Sequence, residues 1–324
     1  MRRAAAAVVV LGVVTVGSLT AGCTIGGEPD DDARAPEPKP TPSPTRSAER
    51  AAPVLAVKVD NVPWARPHTG LNAADIVYVE QVEGGLSRLM AVYASTVPQA
   101  VGPVRSARET DLELLRQFDR PTLAFSGAQT KLLPLLDRAP LRAEPPGRTP
   151  GAYYRDSARP APHNLYLLPR HLMPEAPGKD ALTTGFTYGS APEGGRVETT
   201  RTVRYPAARF TFIWDASRDR YRVAMDGTDA VTSDGRPMAP ATVVVQYVPM
   251  RQSGYFDSRG NNTPYTPTVG SGTAKVLRGG KTYDVLWKRP EPGDGTRFTT
   301  ADGEPVNFAT GQVWVVLAGD TSRD

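Results

Sequence analysis

The chain has 324 residues, 40% of them hydrophobic and 22% charged, which is enough for one large or two ordinary domains with real cores. Basic residues number 38 and acidic ones 34, giving a formal net charge of +4. So even a balance excludes general nucleic-acid binding, which needs a concentrated basic face, and a single cysteine excludes an internal disulfide.

The chain starts Met1-Arg2-Arg3, runs apolar from Ala4 to Val16, and reaches Cys23 through Gly17-Ser18-Leu19-Thr20-Ala21-Gly22. A positive start, an apolar middle and small residues before a cysteine predict a lipoprotein signal peptide over residues 1–22. Thr20 stands where leucine is commoner in such a lipobox. The expected chemistry is a thioether between the Cys23 sulfur and a diacylglyceryl group, then cleavage that leaves Cys23 first. Two acyl chains, palmitate for example, anchor stably where one binds only marginally. The expected address is the outer face of the cytoplasmic membrane. The stretch from Ala4 to Gly22 is barely long enough to span a bilayer instead. Residues 23–52 hold Asp30-Asp31-Asp32 and alternating prolines from Pro36 to Pro44, and predict a disordered, extended tether.

Residues 53–190 predict an α/β-layered N-terminal domain. Valine-rich strands are expected at Pro53 to Asp60, Asp75 to Glu80, Arg88 to Ala94 and Thr122 to Ser126. Ser106-Ala107-Arg108-Glu109 matches a capping box, and Leu112, Leu115 and Phe118 would line one face of the helix that follows. A second short helix is expected from Gln129 to Leu136. Residues 139–162 are rich in proline and arginine and predict a long loop leading into Pro162-His163-Asn164-Leu165-Tyr166.

Residues 191–324 predict a mostly antiparallel β domain, so the fold class is α+β. Its strands include Arg209 to Trp214, Arg220 to Met225, Ala241 to Val248 and Gln312 to Leu317. A hairpin turns at Gly279-Gly280, and Asp226-Gly227, Asp234-Gly235 and Asp302-Gly303 mark further turns.

The densest polar collection is Asp60, Arg66, Asp75, Glu80, Glu83, Arg88, Arg105 and Arg108. Arg105 and Arg108 flank a predicted helix start, where free amides and guanidiniums together suit an anion. Glu83-Gly84-Gly85 lets backbone come close to an acidic side chain. His163 and Asn164 follow the long loop and are candidates for proton transfer and ligand contact. Each of these groups also has a structural explanation, as a solvated charge, an ion pair or a satisfied loop side chain. The histidines show no metal-ligand spacing, and there is no nucleophile elbow or phosphate-cradling loop.

The segments VKVDN (57–61), ARPHTGLNAADIVYVEQVEGGLSRLMAVY (65–93), VGPVRSARETD (101–111), AFSGA (124–128), APHNLY (161–166), VGSGTAKVLRGGKTYDVLWKR (269–289) and GQVWVVL (311–317) together resemble the YerB-like family of bacterial lipoproteins. The resemblance implies a two-part body and an envelope location, and supplies no catalytic residues. A shorter likeness, Ala74-Asp75-Ile76-Val77 followed by Val104-Arg105-Ser106-Ala107-Arg108, is similar to the layout of LytR-CpsA-Psr wall-polymer phosphotransferases, without their Pro-Arg-Asp signature.

Two functions stay open on the sequence. One is a binding lipoprotein whose partner is a cell-wall glycan, a polyprenyl-phosphate precursor or a wall-synthesis protein. The other is an enzyme acting on a phosphorylated, pyrophosphate-type or acidic wall precursor. In the second, Arg88, Arg105 and Arg108 hold the anion, Asp60 or Glu83 holds a divalent cation or acts as base, and His163 moves a proton.

Overall fold

A computed structural model describes residues 52–257 and 260–320. The signal peptide, Cys23 and nearly all of the tether lie outside the described residues.

In the first half the strands are β1 (Leu55–Asp60), β2 (Ile76–Gln81), β3 (Ser87–Tyr93), β4 (Thr122–Ala124), β5 (Arg142–Glu144), β6 (Tyr153–Arg155) and β7 (Leu165–Leu167). The helices are α1 (Glu109–Leu114) and α2 (Leu133–Arg138). In the second half the strands are β8 (Arg196–Val197), β9 (Thr200–Tyr205), β10 (Ala208–Asp215), β11 (Arg220–Met225), β12 (Thr228–Asp229), β13 (Thr242–Val248), β14 (Arg251–Phe256), β15 (Asn262–Tyr265), β16 (Gly270–Arg278), β17 (Lys281–Arg289), β18 (Arg297–Thr299) and β19 (Val313–Gly319).

An 11-stranded sheet runs in the order β18-β17-β16-β13-β19-β2-β3-β1-β4-β5, with β8 beside β17. The last strand, β19, inserts between β13 and β2 and lies parallel to both. The sheet therefore crosses the boundary near residue 190, and residues 50–324 form one unit. The near-continuous apolar runs of β2 (IVYVE) and β19 (VWVVL) follow from this central position, because both of their faces are covered.

One face carries Leu55, Val57, Val59, Val77, Val79, Trp314 and Val316. It packs on Phe210, Phe212, Tyr221 and Val223 of the four-stranded sheet β12-β11-β10-β9. The opposite face carries Ala56, Ile76, Tyr78, Met90 and Val315. It packs on Leu114, Leu115 and Phe118 and on the Phe186, Phe298 and Phe308 cluster.

The expected α/β layering of residues 53–190 is corrected. α-Helix is limited to two six-residue segments, alongside six single 3-10 turns, and turns and loops cover most of the second face. The capping box expected at Ser106 does not form. Residues 105–107 are held laterally instead: Arg105 N donates to Lys58 O, Ala107 N to Gly127 O, and Ser126 N to Arg105 O. Extended backbone tied on both sides cannot also begin a helix. The helix is capped two residues later, where Arg108 N donates to Asp111 Oδ2 at 2.7 Å. Leu115 and Phe118 are buried as expected, while Leu112 is half-buried.

Candidate functional site: an arginine-lined cleft

Strand register assembles the floor of the site. Asp60 of β1 and Glu80 of β2 both stand opposite Arg88 of β3. Side chains alternate across a sheet, so Lys58, Asp60, Glu80 and Arg88 share one face. Asp60 and Lys58 are fully buried, Glu80 nearly so, and Arg88 is 6% exposed. Lys58 Nζ pairs with Glu80 and lies 2.7 Å from Asp111 Oδ1, which ties the floor to helix α1. Burial is the main influence on Lys58 and pushes its ammonium down to about 8, against the pull of Asp111.

Above this layer, Asp60 gathers three basic side chains. His163 Nδ1 lies 2.8 Å from Asp60 Oδ2, Arg105 Nε 3.3 Å from the same oxygen, and Arg88 Nε 3.7 Å from Oδ1. Burial alone would raise the Asp60 carboxyl, but Arg88, Arg105 and His163 outweigh it and hold the group below the usual carboxylate range. An ionised carboxylate can only accept, so His163 Nδ1 carries the hydrogen.

Glu83 leads the turn Glu83-Gly84-Gly85, where both glycines have positive φ, 65° and 71°. Arg108 holds its carboxylate: Nη2 donates to Oε2 at 2.8 Å, and Nε lies 2.6 Å from Oε1 in an ion pair. Thr263 of β15 donates its hydroxyl to Oε1. Burial would raise the Glu83 carboxyl, yet Arg108 and Thr263 hold it low.

Glu83, Arg88, Arg105, Ser106, Arg108 and His163 line one cleft of about 670 Å³. Asp257 and Asn261, from the turn joining β14 and β15, close its rim. Arg88 stands out chemically. Burial is the largest influence on it, and with repulsion from Arg108 and Arg105 it pushes the guanidinium down to about 10 despite Asp60. Its Nη1 is buried and has no hydrogen-bond partner among the described residues. A buried guanidinium nitrogen without an acceptor costs stability unless something supplies one. A slightly larger cavity, about 750 Å³ beside Pro53 and Arg142, gathers no comparable set.

Other candidates fall elsewhere. Asp75 sits at the opposite end of β2, where its Oδ2 accepts from Ala94 N at 2.7 Å and Ser95 N at 2.8 Å. Asn164 accepts from Arg155 Nη1 at 2.7 Å, away from the cleft lining. Arg66 pairs with Asp226 at 2.9 Å and donates to Asn61. Glu80 lies beneath the cleft, bound to Lys58. Sequence reasoning did not single out Lys58 and Asp111. Lys58 was legible, because it stands two residues before Asp60 in a strand and must share its face. Thr263, Asp257 and Asn261 carry no local signal, since only tertiary folding brings their hairpin to Glu83. Among the described residues no group of three or more His, Cys, Asp or Glu side chains could hold a metal ion. No helix among them is long and apolar enough to cross a membrane.

This chain belongs to the DUF3048 family. The N-terminal domain model, described as a protein of unknown function, matches residues 40–182, and its C-terminal counterpart matches residues 201–315. A curated relative, "Putative lipoprotein YerB" of Bacillus subtilis, is 24% identical over 282 residues, covering 82% of this chain and 81% of the relative. The crystal structure of the YerB protein from Bacillus subtilis has the same fold, with a TM-score of 0.69 at 23% identity, over 83% of this chain and 92% of that one.

Proposed function

We propose that this protein is a lipoprotein lipid-anchored at the outer face of the cytoplasmic membrane, whose arginine-lined cleft binds a phosphorylated cell-envelope ligand. The anchor rests on the lipobox ending at Cys23 and on the name of the Bacillus subtilis relative. The ligand class rests on one observation: Arg88 Nη1 is buried in the cleft wall with no acceptor among the described residues. Arg105 and Arg108 line the same space, so an oxyanion placed there meets three guanidiniums at once. Among the ligands the sequence admits, this set favours a phosphorylated precursor over a neutral glycan or a protein surface.

The test is calorimetric titration of the full chain in detergent micelles with inorganic pyrophosphate. Binding that weakens as salt rises is expected. Arg105→Ala and Arg108→Ala should each weaken it about 10- to 100-fold, because a hydrogen bond to a charged group contributes about 1.5–3 kcal/mol. No binding, or wild-type affinity in both variants, refutes the reading. Separately, Cys23→Ala should abolish labelling by radioactive palmitate and release the protein from membranes.

A further inference from the structure

We propose that the cleft hydrolyses phosphoanhydride bonds, with His163 as the general base and Asp60 as its positioning residue. This rests on the binding reading above and goes beyond it, since holding an anion requires no oriented imidazole.

The geometry comes first. His163 spends Nδ1–H on Asp60 Oδ2, 2.8 Å away. Its Nε2 has no hydrogen-bond partner among the described residues, and the side chain is 17% exposed on the cleft wall. Asp60 is in turn fixed by Arg88 and Arg105. A carboxylate that sets the tautomer of an imidazole, and is itself held by a further layer of charge, leaves Nε2 as a lone-pair base of defined direction. A histidine serving only to fill a loop would not need its ring nitrogen bound by a fully buried carboxylate at the floor of an anion cleft.

The choice of bond follows from what the cleft lacks. Asp60 and Glu83 are both held ionised by arginines, so neither can give a proton to a leaving group near neutral pH. The arginines are poor proton donors as well. The leaving oxygen must therefore depart as an anion. An alkoxide would be a poor leaving group here, whereas a phosphate is stable unprotonated and would be met by a guanidinium. The step balances on that basis. Nε2 takes a proton from water as the water oxygen bonds to the terminal phosphorus. The bond from that phosphorus to the bridging oxygen breaks, and its electron pair leaves with the bridging oxygen as phosphate. The imidazolium then returns its proton to solvent.

The full chain in detergent micelles should convert inorganic pyrophosphate to phosphate, and ADP to AMP and phosphate, while leaving AMP intact. His163→Gln should lower phosphate release about 10²- to 10⁴-fold, the usual contribution of a positioned base, and leave pyrophosphate affinity within about twofold. Asp60→Asn should slow release, and adding it to His163→Gln should slow release little further, because Asp60 acts through that imidazole. Independent, multiplying losses would mean that Asp60 is merely structural. Pyrophosphate binding without release from either anhydride, or release undiminished in His163→Gln, overturns the catalytic proposal and leaves the binding reading standing. Absence of pyrophosphate binding overturns both.

Discussion

Acid should destabilise this fold through one histidine well before its carboxylates titrate. His68 is 1% exposed, and its Nε2 lies 2.8 Å from the backbone oxygen of Asp60. A carbonyl can only accept, so Nε2 carries the hydrogen. Burial pushes the imidazole from 6.5 down to about 4; the Asp60 carbonyl and carboxylate oppose this, and Arg66 and Arg159 add to it. Between those two values the unfolded chain binds a proton that the folded chain refuses. Stability therefore falls as pH drops through 6.5, and the loss is complete below about 4. At about 1.4 kcal/mol per pH decade the loss approaches about 3 kcal/mol, a large share of the usual 5–15 kcal/mol for a domain of roughly this kind. His68→Gln keeps a donor for the Asp60 carbonyl and has no proton to gain. Urea unfolding of the full chain, followed by the fluorescence of buried Trp287 and Trp314, would be run from about pH 7.5 to about pH 4. The wild type should lose about 3 kcal/mol more than His68→Gln over that range. Other groups titrate in both proteins, so the difference isolates the imidazole. Parallel stability curves would refute the reasoning.

Lys58→Ala leaves Glu80 and Asp111 buried without their shared cation and should cost about 3–5 kcal/mol, read as a lowered thermal midpoint. Gly84 and Gly85 separate two effects. Gly84→Ala meets open space and should cost about 1–2 kcal/mol for its left-handed backbone alone. Gly85→Ala would in addition put a Cβ 2.5 Å from Pro206 Cβ, so its unfolding midpoint should fall further and its pyrophosphate affinity with it, because Glu83 moves. Glu113→Gln should destabilise by about 1.5–3 kcal/mol, since the carboxylate accepts from Thr268 N, Val269 N and the Tyr265 hydroxyl. An unfolding curve with the wild-type midpoint would contradict this.

The sequence showed most of the strands because their burial is written into local composition. DIVYVE and QVWVVL are apolar on both faces, and RFTFIW alternates, which matches strands β2, β19 and β10. The pairing of β19 with β2 joins residues more than two hundred positions apart, and no local pattern encodes it. The helix start failed for a related reason. Ser106 and Glu109 fit a capping box, but Lys58 of β1 and Gly127, beyond the end of β4, claim the amides of Arg105 and Ala107. In the site, Arg88, Arg105, Arg108, Glu83 and His163 were legible as charges in family-like motifs and do meet in one cleft. Asp75 and Asn164 had the same appearance and turn out to satisfy backbone amides and Arg155. The difference lies in strand end and loop direction, which follow from tertiary structure.

The carboxylates in the cleft bear on why an anion would bind there at all. The buried layer is self-contained, with Lys58 set against Glu80 and Asp111. In the cleft above it three guanidiniums pair with Asp60 and Glu83, and Asp257 stands on the rim. Without those carboxylates, three buried or half-buried cations would repel one another and resist desolvation. With them, each guanidinium is held in one orientation before any ligand arrives, so little side-chain entropy is lost on binding. The Nη1 of Arg88, without a hydrogen-bond partner among the described residues, then defines what the ligand supplies. A ligand that replaced Glu83 on Arg108 would break a charge pair and gain little, so binding should add to the existing pairs. Glu83→Gln separates these cases: loss of preorganisation predicts weaker pyrophosphate binding, although the variant makes the cleft more positive. Tighter binding in Glu83→Gln would mean that net charge, and not the orientation of the guanidiniums, governs the site.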